Sequence, residues 1–180
     1  AFCLTGTMGI IRNLSPAEIV NQVCAARDHL LAEPAATLIG PRAVTNLVYM
    51  GMGEPLNNLE NVLTSLSILT EQKGLDLTGR RITVSTCGIV PKMHALGERS
   101  TANLAVSLHA VDDETRNRLM PGNGMYPLDA LFAACRTYPM PKRRRIMFEY
   151  LMLDGVNDSA AEARELARRL RLIPCKINLL

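Results

Sequence analysis

Strand-like and helix-like segments alternate along most of the chain, and that alternation restricts the fold more than any other feature of the sequence. Residues 45–50 read as a short strand, and 59–72 carry Leu59, Val62, Leu63, Leu66 and Leu69 at helical spacing. Further strands are expected at 81–86, 103–109, 145–153 and 175–180. Helices are expected at about 91–98, 127–138 and 159–171, with a helical turn at 112–120. Strands joined through helices lie parallel, and such crossovers are right-handed in nearly all cases. The predicted class is therefore α/β with a parallel sheet. Segment 103–109 is mostly apolar, so cover on both faces is expected there. Pattern alone leaves a doubly wound sheet and a barrel both open, although five strands suit part of a β/α barrel.

An amphipathic helix precedes the alternation. Ser15-Pro16-Ala17-Glu18 has the form of a capping box with Pro at the first helical position. Behind it, Ile19, Val20, Val23, Cys24, Leu30 and Leu31 fall on roughly one face. Pro34 and Gly40-Pro41 mark a loop, and Ser159-Ala160-Ala161-Glu162 repeats the capping pattern late in the chain.

The 180 residues are 48% apolar and 21% charged, enough for one substantial core, and no apolar run approaches the ~20 residues of a membrane-spanning helix. A net charge of +3 is too small to indicate a nucleic-acid partner by itself. The one dense basic run, Lys142-Arg143-Arg144-Arg145, reads either as a solvated loop or as a phosphate contact. Five scattered cysteines form neither a disulfide framework nor a zinc pair, which fits a reducing, cytoplasmic setting. Cys24, Cys87, Cys135 and Cys175 are expected to pack, and Met50, Met52, Met120, Met147 and Met152 to fill core space. The start, Ala1-Phe2-Cys3, lacks an initiating Met, and the end falls inside a predicted strand; both ends read as cut from a longer polypeptide.

Polar residues collect at the C-terminal ends of the predicted strands: Gly53-Glu54-Pro55, Ser85-Thr86-Cys87-Gly88, Ser107-Leu108-His109 and Asp154-Gly155-Val156-Asn157-Asp158. In parallel α/β folds that edge forms the ligand site. His109 reads either as part of such a site or as a satisfied structural imidazole.

The text Ala1-Phe2-Cys3-Leu4-Thr5-Gly6, followed about fifty residues later by Gly53-Glu54-Pro55, resembles the radical S-adenosylmethionine superfamily. The resemblance implies a parallel, partial TIM-type β/α barrel, truncated at both ends, with residues 1–180 forming the central part of the core. It implies two cofactors, a [4Fe–4S] cluster and S-adenosylmethionine. Cys3 would be the third of three cluster ligands, the others lying before Ala1. Gly53 and Glu54 would receive the cofactor's ammonium, Ser85 would contact the bound cofactor, and Ser107, Leu108 and His109 would line its ribose and carboxylate side.

Longer stretches narrow the likeness. Met50–Asn58, Thr83–Pro91, Leu104–Ala110, Phe148–Asp158 and Pro174–Leu179 resemble, in order, a bacterial branch that methylates carbon 2 of adenine in 23S rRNA and tRNA. That resemblance implies a methyl-carrying cysteine beyond Leu180, a 5′-deoxyadenosyl radical, and a transient disulfide that resolves the adduct. It also implies an accessory RNA-holding domain before Ala1, an electron donor such as flavodoxin, a monomer, and no activity for this stretch alone. Cys87 stands where related sequences often have Ser. A carbon-8 methyltransferase of the same family, an iron-free barrel aldolase or isomerase, and an RNA-binding scaffold built on 142–145 are the alternatives.

Overall fold

The computed structural model describes residues 3–33, 43–121 and 126–180. Five strands, β1 (Leu47–Tyr49), β2 (Ile82–Thr86), β3 (Asn103–Ser107), β4 (Ile146–Tyr150) and β5 (Cys175–Leu179), form one sheet in sequential order, every neighbouring pair parallel. Around them run α1 (Pro16–Ala32), α2 (Leu59–Thr70), α3 (Val90–Arg99), α4 (Asp113–Leu119), α5 (Leu128–Thr137) and α6 (Ala160–Leu170). The expected pockets of punctuation at Pro34 and Gly40-Pro41, and Ala1 and Phe2, lie outside the described residues.

The strand order decides what the sequence pattern left open. A doubly wound sheet reverses direction once, whereas sequential order with right-handed crossovers keeps every crossover helix on the same side. Burial agrees. Ile82, Val84, Leu104, Val106, Ile146, Phe148 and Tyr150 join the helix residues Leu66, Met93, Leu96, Leu131 and Phe132 in one core. On β1 the helix-facing Tyr49 hydroxyl shares a 2.8 Å hydrogen bond with Ser65 of α2. The other face carries Val48, Thr83, Ser85, Asn103, Ser107, Lys176 and Asn178, all exposed or half-buried. The wall is that of an open, singly wound β/α barrel.

Both capping boxes form. Ser15 Oγ accepts the Glu18 amide at 3.3 Å and Glu18 returns a 2.8 Å bond to the Ser15 amide; Ser159 and Glu162 do the same at 3.2 and 3.1 Å. The predicted apolar face of α1 is covered only in part, since Val23 alone is buried and Leu31 is exposed. Strand β3 is buried on both faces only at Leu104, Ala105 and Val106, and it stops at Ser107 rather than 109 because His109 turns to a positive φ of 59°. Strand β4 stops at Tyr150 rather than 153 for a different reason.

Beyond β4 the chain is claimed by a side-chain network. Asn157, 2% exposed, donates from Nδ2 to the carbonyls of His109 and Leu151, each at 2.7 Å, and its Oδ1 accepts the Leu153 amide at 2.7 Å. The Tyr150 hydroxyl donates to the Asn157 carbonyl at 2.9 Å. His109 Nδ1 accepts the Leu151 amide at 3.0 Å, so the loops after β3 and β4 are bolted together. An imidazole nitrogen that accepts must be unprotonated. Burial first, and the nearby Arg116 charge second, push the His109 pKa down to about 4 from 6.5.

Two predictions follow from packing and titration. Gly97 of α3 lies against the end of α5: a Cβ there would sit 2.8 Å from Pro139 Cγ and 2.9 Å from Tyr138 Cζ. Gly→Ala in an open helix gains about 1 kcal/mol, but overpacking costs about 1–3 kcal/mol. Gly97→Ala should therefore lower stability by up to about 2 kcal/mol in urea melts, and a gain in stability would refute the close contact. For His109, the unfolded chain takes up its proton near 6.5 and the folded chain only near 4. The stabilisation of the neutral form is intact above about pH 6.5 and is lost progressively as pH falls toward 4, with a ceiling of roughly 3 kcal/mol. Urea melts at pH 7 and 4.5 should show this loss, and His109→Asn should shrink it, since Asn tolerates positive φ and does not titrate.

Candidate functional site

The C-terminal strand edge is assembled by backbone contacts around a single carboxylate. After β1 the chain passes Gly53 at a φ of 98°, a conformation that suits glycine, and enters the short turn Pro55–Asn58 with Glu54 as its cap. Glu54 Oε1 accepts the Leu56 amide at 2.9 Å, and Oε2 accepts the Cys87 amide at 2.7 Å. The predicted acidic turn is thus fastened to the end of β2. A carboxylate has about four lone-pair positions, so these two bonds leave acceptor capacity for a cation.

Ser85 and Ser107 take the same face of the sheet, Ser85 paired in register with Ala105 and Ser107 with Glu149. Both are half-buried. Leu108, by contrast, continues the alternation of Leu104 and Val106 into the helix-side core and is fully buried. Its amide donates to the Glu149 carbonyl at 3.0 Å. His109 is buried within the loop network described above. Gly53, Glu54, Ser85 and Ser107 therefore present polar groups at the strand ends, while Leu108 and His109 stand behind them.

Cys3 is half-buried and precedes the turn Leu4–Met8, its carbonyl accepting the Gly6 amide at 3.2 Å. All five cysteines carry free thiols. Burial, followed by the Glu54 charge, pushes the Cys87 thiol up to about 12, and burial does the same to Cys135. These two stay protonated near neutral pH and are packing groups, as expected. The methionines divide. Met120 is buried and Met147 half-buried, but Met50, Met52 and Met152 are exposed at 42, 81 and 46%, which corrects the expectation of core filler for those three. They flank the strand-end edge, where the next packed layer does not reach.

Three functional candidates escaped the sequence reasoning. Glu149, only 8% exposed, accepts Asn178 Nδ2 at 2.8 Å on the open face. Their signal was an acid and an amide at alternate positions within apolar strands. Arg116 of α4 is 2% exposed and donates to carbonyls of both the β2 and β3 ends. Nothing in a charged segment such as Asp113-Glu114-Thr115-Arg116 distinguishes a buried guanidinium from a solvated one.

The basic run lies elsewhere. Lys142, Arg143 and Arg145 are exposed just before β4, at the opposite edge of the sheet, and Arg144 is engaged by the Thr101 carbonyl and, at 3.4 Å, by Asn103 Oδ1. A cavity of about 630 Å³ lined by Gly97, Thr101 and Pro139 belongs to that opposite edge too. It shares no residue with the strand ends that carry Glu54 and Ser107.

Comparison with known proteins bears on this arrangement directly. A dual-specificity RNA methyltransferase RlmN from Desulfotalea psychrophila is 75% identical over 179 residues, 99% of this chain and 49% of the relative. One of the same name from Methylocella silvestris is 53% identical, over 100% of this chain and 47% of the relative. A solved radical SAM methyltransferase from Sphaerobacter thermophilus superposes with a TM-score of 0.89 at 48% identity, covering 99% of this chain and 51% of the other. The chain thus spans about half the length of the relatives it matches. Residues 1–167 match the sequence profile of the Radical SAM superfamily, and with the parallel barrel wall in hand the chain belongs to that superfamily.

Proposed function

We propose that this chain is the cofactor-binding core of a radical S-adenosylmethionine RNA methyltransferase that modifies carbon 2 of adenine in 23S rRNA and tRNA. The observation that carries the proposal is the gathering of Glu54, Ser85 and Ser107 at one strand edge, the two serines on the open face and Glu54 fastened to the Cys87 amide at the end of β2. The 75% identity to a dual-specificity RNA methyltransferase supports the choice of substrate.

The superfamily's cofactors are S-adenosylmethionine and a [4Fe–4S] cluster. The first fits the residues present. Glu54 offers a carboxylate, already oriented by two amides, to a ligand ammonium, a charge-assisted contact. Ser85 and Ser107 offer hydroxyls that can donate or accept to ribose and carboxylate oxygens. Leu108 and His109 shape the wall from behind, with the neutral imidazole fixing the loop after β4. When bound, S-adenosylmethionine supplies the methyl group and a route to radical chemistry, which a non-nucleophilic aromatic carbon requires. The cluster is a different case. Cys3 is the candidate thiolate, and among the described residues no three His, Cys, Asp or Glu side chains stand close enough to hold a metal.

A base in folded RNA has to leave its stack to reach a strand-end pocket of this kind. The exposed Met50, Met52 and Met152 give the rim soft apolar contacts against which such a base can lie.

Two experiments test the proposal, one on the full-length enzyme and one in cells. Glu54→Gln should weaken S-adenosylmethionine binding by roughly 10-fold or more in calorimetry, the value of one charge-assisted bond, and unchanged affinity counts against the assigned turn. Mass spectrometry of RNA from a strain lacking the gene should show loss of 2-methyladenine from both 23S rRNA and tRNA. Loss of a carbon-8 methyl group instead identifies the sister activity, and an unaltered methylation pattern sinks the assignment to RNA.

A further inference from the structure

We infer that Arg116 is a positioning residue for the S-adenosylmethionine pocket, a buried guanidinium that holds the ends of β2 and β3 as one lip. The inference rests on the functional proposal above and adds a residue that neither the motifs nor the superfamily match assigns.

Burying a cation costs several kcal/mol, and carboxylates are the ordinary compensation. Arg116 is 2% exposed, and every acceptor it has among the described residues is a main-chain carbonyl. Nη2 donates to Cys87 O at 2.6 Å and Ser107 O at 3.1 Å, and Nε donates to Leu108 O at 3.3 Å. The neighbouring Asp113 carboxylate is engaged instead with the Leu128 amide at 2.7 Å, capping α5. Burial lowers the Arg116 pKa, but guanidinium remains charged in proteins.

The three carbonyls come from two separate strand ends, and those are the ends that carry Ser85 and Ser107. Parallel strands finish with carbonyls that have lost their ladder partners, and a planar fork can satisfy several at once in fixed directions. Cys87 is held from both sides: its amide by Glu54 at 2.7 Å, its carbonyl by Arg116 at 2.6 Å. A continuous line therefore runs from the acidic turn after β1, through the Cys87 backbone and the guanidinium, to Ser107. Arg116 itself is walled off in the core, so it acts by fixing where the ligand-facing groups stand. Lysine cannot replace it, because one ammonium at the end of a flexible stem does not span the same three acceptors in a plane.

The test uses the full-length, cofactor-reconstituted enzyme. Arg116→Lys and Arg116→Gln should each weaken S-adenosylmethionine binding at least 10-fold in calorimetry well below the melting temperature. The KM for S-adenosylmethionine should rise with kcat changed less than about 3-fold. A role confined to stability would lower the melting temperature and leave affinity within 2-fold, and that result overturns the inference. Hydrogen exchange on the wild-type enzyme gives an answer independent of whether the variants fold. Adding S-adenosylmethionine should protect amides of α4 together with those at 85–88 and 107–109, and an α4 that does not respond overturns the inference as well. Wild-type enzyme that binds no S-adenosylmethionine overturns the functional proposal and this inference together. Binding that is equal in wild type and variants overturns this one alone.

Discussion

Parallel pairing in sequential order is the constraint on which the rest of this structure depends. Each new strand can be reached only by a right-handed crossover, and repeating that step without reversal stacks the helices on one side. The apolar residues of β2, β3 and β4 then face Leu66, Met93 and Phe132, and the alternate positions point away from the helices. The open face follows from chain connectivity before any particular side chain is chosen. Ser85, Ser107, Glu149 and Asn178 occupy positions that the winding had already set aside.

Much of this was legible in the residues. Helix starts were marked by Ser15 and Ser159 because capping is local and both partners lie within four residues. Strand existence was legible from apolar runs. Strand ends were not, since β3 is stopped by the backbone turn at His109 and β4 by Asn157, a residue several positions downstream. Barrel versus doubly wound sheet could not be read locally either, because the answer lies in strand order.

The site divides along the same line. Glu54, Ser85 and Ser107 were visible because polar residues at the ends of apolar strands are conspicuous. Arg116 was invisible because its role consists of contacts with carbonyls 8, 9 and 29 residues away, which carry no sequence label. The methionines misled for a related reason. Met50, Met52 and Met152 have the composition of a core, but they sit past the strand ends, where burial depends on what lies above.

The fastening at Cys87 has a consequence for how such a pocket can drift over time. Glu54 grips its N–H and Arg116 its C=O, so both anchors hold peptide groups that any residue type supplies, while the Glu54 carboxylate also bears on the thiol. A small side chain, here cysteine, occupies that position while the anchors bear on the peptide groups either side of it. A pocket braced through peptide groups can thus exchange residue types freely at its hinge point, holding its geometry while its spelling changes.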